Sequence, residues 1–242
     1  MTAKAVKPED EFSLDIIAAA LADYSVPAAI PDSTARWKRV YSQYSLHNPK
    51  MAGSVGTVTI THTPGSVSKL AVVYEHCWLV KHKETTGIRF GWSGSLSVPT
   101  AWEIESAAIA DGKELAGLTG KKSAVIRGNT LVMTTANGAH EYSAPAPATI
   151  NWLLFDVIPR FGGKHIEPVR FTLIDRGDKV KPGITLSWRK SVNVAVGKAD
   201  LALRAYEMKG AGILPTVFWT DERGLLLFVV SGMEAYCLKE AS

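Results

Sequence analysis

Three histidines on strand-like segments, His62, His76 and His82, are the first residues of this chain that could do chemistry. Imidazoles ligate transition metals and carry protons near neutral pH. His76 and His82 share strand parity with Trp78 and Val80, so on a continuous strand from Val67 to His82 they face one way. Six residues of extended chain span about 20 Å, far more than one ion bridges at about 2.1 Å. The two cannot share a site unless the strand bends sharply, so no metal is expected. Glu103 and Glu105 lie two apart on one strand face, opposite Trp102 and Ile104. Buried together, two carboxylates could act as acid and base; solvated, they are the wet side of an alternating strand. An enzyme on this sheet would draw its acid–base set from His62, His76 and Glu103. It would act as a hydrolase or lyase on a small or carbohydrate-like substrate.

Two glycine-bearing stretches imitate catalytic loops. Gly91-Trp-Ser-Gly-Ser95 has a serine where a nucleophile elbow needs its last glycine, and no strand-to-helix turn follows. Phe161-Gly-Gly-Lys164 follows a helical pattern and leads into Pro168, which is the wrong context for a phosphate loop. The aromatic set carries more promise, with seven tryptophans and seven tyrosines. Most belong to the core of a β-protein. The residues expected to line an apolar cleft are Trp152, Phe155, Trp188 and Trp219.

The elements that must position these groups are mostly strands. Val55 to His62 alternates from Thr57, with Val58, Ile60 and His62 on one face and threonines on the other. Similar patterns run through 67–82, 88–98 and 102–109. A meander over 123–142 turns at Asn137-Gly138, a hairpin signal because both central positions of its turn need φ > 0. Near the end, apolar arms flank Asp221-Glu-Arg-Gly224 in the same way. Two windows read as helix. One covers 13–24, capped by Ser13 with Leu14, Ile17 and Leu21 on one face. The other covers 149–158, capped by Thr149 and stopped by Pro159 and Gly162-Gly163. The second is apolar nearly all round, so it must lie against apolar surface, as a swinging lid or as a fixed core element.

These elements predict a mainly β protein of about a dozen strands. It forms a large antiparallel curved sheet or incomplete barrel with one inserted helix and an N-terminal helix. It is read as one domain, 1–242, with a helical segment and loop over 1–35 and the sheet with its inserted helix 149–158 over 36–242. An apolar fraction of 46% is that of a soluble globular chain. A net charge of +4 is spread without basic runs, so nucleic acid is not an expected partner. No apolar stretch reaches the roughly 18 residues of a membrane helix. Cys77 and Cys237 sit in apolar strand-like segments and read as buried free thiols, with a disulfide as the alternative.

The second half, about 121–242, resembles the curved-sheet lipoprotein carriers of the LolA/LolB-like class. The resemblance rests on the mid-chain helix and on the terminal hairpin carrying Phe218, Trp219, Asp221 and Gly224. It implies a non-enzymatic binding module whose concave face holds a hydrophobic small molecule or acyl chain, or a partner's apolar segment, with no cofactor. The chain differs from that class in showing no export signal or lipobox cysteine. Its expected compartment is periplasmic or exported if a leader has been removed, and otherwise cytoplasmic. Oligomeric state is left open.

Overall fold

A computed structural model of the protein describes residues 21–27, 34–46, 53–77, 80–110 and 113–242. The helix expected over 13–24 lies largely outside them. Its last residues form a turn in which the Tyr24 N–H donates to the Leu21 carbonyl at 2.9 Å.

The strands in chain order are β1 (Trp37–Ser45), β2 (Gly56–Thr63), β3 (Ser68–Cys77), β4 (Lys81–Ser93) and β5 (Leu96–Ala110). Then come β6 (Lys113–Glu114), β7 (Gly120–Arg127), β8 (Thr130–Thr135), β9 (Gly138–Ser143) and β10 (Ala148–Ile150). A 3-10 turn (Asn151–Leu153) runs into the helix α1 (Leu154–Arg160). The chain resumes with β11 (Val169–Asp175), β12 (Lys179–Val196), β13 (Ala199–Lys209), β14 (Thr216–Thr220), β15 (Leu226–Ser231) and β16 (Glu234–Ala241). All sixteen join one sheet, which runs from β10 through β11–β16 to β1–β5 and ends on β7–β9, with β6 paired to β5. Every pairing is antiparallel except β10 with β11.

The sheet curls until its β10 edge meets β5, but among the described residues no backbone ladder closes that seam. Side chains hold it instead. The Thr149 hydroxyl donates to the Ser97 carbonyl at 2.7 Å, and the Trp102 indole N–H donates to the Gly177 carbonyl at 2.9 Å. Lys122 pairs with Asp178 at 2.6 Å. Beyond β5 the strands β7–β9 run on as a flap, so the barrel is unclosed.

Thr149 therefore does not cap a helix. It belongs to β10, and the helical segment begins two residues later at Asn151. Its far end also differs from expectation, because Pro159 lies inside α1 rather than after it. A proline there leaves the carbonyl four residues earlier without its helical donor. That carbonyl belongs to Phe155, and the buried Arg39 guanidinium donates to it at 3.1 Å. Val157 and Ile158 are fully buried, so α1 fills the inside of the curled sheet as a core element and is no lid.

The last hairpin has the expected turn. Asp221 accepts the backbone N–H groups of Arg223 and Leu225, and Gly224 sits at φ 91°. A Cβ at Gly224 would come within 2.7 Å of the Pro159 carbonyl and 2.8 Å of the Gly162 Cα, so the turn is fitted against the end of α1. The two cysteines are free. Cys237 is buried, whereas Cys77 ends β3 in an exposed position, contrary to its apolar context in sequence. β16 and β3 are three steps apart in the sheet, about 14 Å at normal strand spacing, too far for a disulfide.

Candidate functional site

Strand alternation sends one set of side chains into the curled sheet, and α1 occupies only part of that space. Beside its first turn lies a cavity of about 380 Å³. Trp152 and Phe155 enter it from the helical segment, and Phe218, Val229 and Tyr236 from β14, β15 and β16. These rings touch in sequence: Trp152 and Phe155 have centroids 5.7 Å apart, Phe155 and Tyr236 6.1 Å, and Tyr74 and Trp152 6.0 Å. The deep wall is thus aromatic and apolar, and Leu214 at the mouth is 54% exposed.

The remaining wall is polar and comes from the β3–β4 hairpin. Its register puts Tyr74 opposite Glu84 and His76 opposite His82. The two histidine rings lie 5.0 Å apart, and His76 stacks on Tyr74 at 4.8 Å. This overturns the expectation that His76 and His82 are separated by the length of a strand. The chain reverses between Cys77 and Lys81, so six residues of sequence become one cross-strand pair. The segment 78–80 is Trp-Leu-Val, with none of the Gly, Pro, Asn or Asp that announces a turn.

Burial governs the ionisation of this wall. Desolvation raises the Glu84 carboxyl above its ordinary value, with His82 and Arg176 pulling the other way. Its hydrogen bond is from the Thr86 hydroxyl at 3.4 Å, and among the described residues no cation forms an ion pair with it. Desolvation also lowers His76, helped by its neighbour His82, which favours the neutral ring. Burial pushes the Tyr74 phenol up to about 12, so it stays a hydrogen-bonding hydroxyl and accepts from the Gln43 amide at 2.9 Å. The buried atoms His76 Nδ1, Trp152 Nε1 and Gln43 Oε1 have no partner among the described residues.

Arg176 and Glu234 complete the rim. Arg176 is the one non-glycine residue at positive φ, 49°, among the described residues. It turns the chain from β11 to β12 together with Gly177 at φ 76°. Its N–H donates to the Asn151 side chain at 3.0 Å, which ties the turn to the start of the helical segment. A side chain in that region costs of order 1 kcal/mol, and the return is a guanidinium 3.5 Å from Glu234. Glu234 also accepts the Tyr236 hydroxyl at 2.7 Å.

The residues singled out from sequence scatter relative to this cavity. Trp152, Phe155 and His76 line it. His62 is buried elsewhere, with Nδ1 2.9 Å from the Ala35 carbonyl and its ring stacked on Trp37 at 5.5 Å. Since that oxygen can only accept, Nδ1 carries the proton. Glu103 points outward, with its neighbours Trp102 and Ile104 buried and Lys121 bridging it to Glu105. His62, His76 and Glu103 therefore do not meet. Trp188 packs on Tyr206 and His165 outside the cavity. Trp219 lies across from Phe228 on the face opposite Phe218, where Tyr24 covers Phe228 at 5.1 Å. Sequence reasoning missed Glu84, Arg176, Glu234 and Tyr236. The available signal was the alternation Tyr74, His76 and His82, Glu84, which becomes visible once the hairpin is placed.

No protein-family model matches the chain, and no curated protein matches it. Among solved structures, it is similar to a β-barrel-like protein from Brucella abortus, a domain of unknown function, DUF1849. The match has a TM-score of 0.56 and 9% identity, covering 86% of this chain and 98% of the other. At that identity the likeness is one of fold. It places the protein among barrel-like curved-sheet proteins without singling out the LolA/LolB-like carriers. No described helix is long and apolar enough to cross a membrane.

Proposed function

We propose that the protein is a binding module that holds an apolar ligand in the cavity beside α1. The observation that carries this reading is the cavity itself: about 380 Å³, walled by Trp152, Phe155, Phe218 and Val229, with polar groups along one side. That volume and lining fall in the range of small-ligand sites, where apolar walls supply affinity and a few polar groups fix orientation. The barrel-like neighbour is compatible with such a module. The acid–base alternative has no convergent set, since Glu103 faces solvent and the His62 ring is enclosed by aromatics.

The test is titration with N-phenyl-1-naphthylamine, a neutral dye that fluoresces in apolar surroundings. Saturable binding by the parent protein, abolished in Val229→Trp with an unchanged melting temperature, supports the reading. Absence of saturable binding by the parent, or binding unaffected by the cavity-filling substitution, refutes it.

A further inference from the structure

The charges around the cavity are unequal. Glu84, Asp175 and Glu234 face Arg176 there, three carboxylates against one guanidinium, with His76 and His82 between them. Arg176 is engaged by Glu234, which leaves Glu84 as a partly buried carboxylate with a single long hydrogen bond from Thr86. A desolvated carboxylate of this kind is stabilised by any cation brought to it, more strongly than an exposed one would be. Aromatic rings share the cavity wall with it: Tyr74 is its cross-strand partner, Trp152 is 6.0 Å from Tyr74, and Tyr236 is 6.3 Å from Trp152. Aromatic rings beside a carboxylate form the combination that recognises ammonium groups. An anionic head would meet the opposite: an excess of negative charge.

Resting on the binding reading above, we propose that the ligand is a cationic amphiphile. Its amine or quaternary ammonium sits against Glu84 within the rings of Tyr74, Trp152 and Tyr236. Its hydrocarbon part runs along Phe155, Phe218 and Val229. The protein as a whole carries +4, so its general field favours anions. A preference for cations has to come from the local wall.

The experiment displaces bound N-phenyl-1-naphthylamine with three ligands of one chain length at pH 7.5. These are dodecyltrimethylammonium, dodecan-1-ol and dodecanoate, each kept below its aggregation concentration. The cation is expected to displace the dye at a concentration about tenfold below that of dodecanoate, with the alcohol between them. In Glu84→Gln, an isosteric change, the advantage of the cation over the alcohol should vanish while dye binding persists. Equal or better displacement by dodecanoate overturns the inference and leaves the binding reading intact. So does a cation advantage that survives Glu84→Gln. If the dye itself does not bind, both readings fall together.

Discussion

The two sides of α1 hold their carboxylates differently. Toward the β4–β5 turn, the carboxylate carried by the helix is paired. Asp156, fully buried, receives two hydrogen bonds from Arg160 at 3.0 and 3.2 Å and one from Ser97 at 3.3 Å. Arg160 in turn lies over the Trp92 ring at 4.2 Å. Beneath the helix, Arg39 answers the carbonyl freed by Pro159 and stacks on Trp37 at 4.1 Å, while its Nε and the Trp37 indole N–H have no partner among the described residues. Toward the cavity the same kinds of group are left open: Glu84 has no ion-pair partner among the described residues, and His76 Nδ1 and Trp152 Nε1 are buried without one. Native interiors pair their buried polar groups because leaving one unpaired costs about 1–3 kcal/mol. On the cavity side these unpaired atoms belong to residues that line an open space, and the binding proposal rests on that side.

The largest loss of stability is expected at Gly224, on the packed side. A valine there must adopt φ near 91° and meets the backbone of Pro159 and Gly162, neither of which can retreat. Gly224→Val is expected to cost about 4 kcal/mol, read as a large drop in the midpoint of chemical denaturation. Arg39→Ala comes next. It removes packed atoms under α1 and orphans the Phe155 carbonyl, for a loss of about 3 kcal/mol in the same measurement. A cost near zero for either would show that the packed side is not held as described.

On the open side the effect is smaller and depends on pH. The folded-state pKa of His76 lies below its ordinary 6.5, so the unfolded chain binds more protons as pH falls through that value. His76 therefore makes stability decrease on acidification below about 6.5. Glu84 acts in the opposite sense. Its raised pKa makes the folded state the better proton acceptor between that value and its ordinary 4.5, so acidification there restores stability. His76→Gln should reduce the fall in melting temperature between pH 7.0 and 5.5. An unchanged slope would mean that His76 is not held neutral by this wall.

Much of the architecture was legible because alternation is a direct image of a half-buried strand. Val58, Ile60 and His62 all point inward as their parity demands, and Glu103 and Glu105 outward. The inserted helix was legible from its uninterrupted apolar surface, which only the inside of a curved sheet can cover. Its start was misplaced because Thr149 suits a cap and an edge strand equally well, and the choice was made by Ser97, some fifty positions away in sequence. The site was half legible. Trp152 and Phe155 announced themselves by size and polarity. The polar wall did not, since β3 and β4 pair as a hairpin although the sequence between Cys77 and Lys81, Trp-Leu-Val, argues for continuation of the strand. Arg176 was hidden for a related reason: only the tertiary fit at Asn151 keeps a non-glycine residue at positive φ there.

Trp152 itself can report whether the space beside α1 receives an apolar chain. Its ring lies in the cavity wall, and a bromine atom quenches tryptophan fluorescence only at close range. Titration with 12-bromododecan-1-ol should quench a saturable fraction of the emission, and that fraction should disappear in Trp152→Phe, which keeps an aromatic wall. Unbrominated dodecan-1-ol should compete the quenching away. Quenching of the same size in Trp152→Phe would contradict the account, as would no saturable quenching in the parent protein.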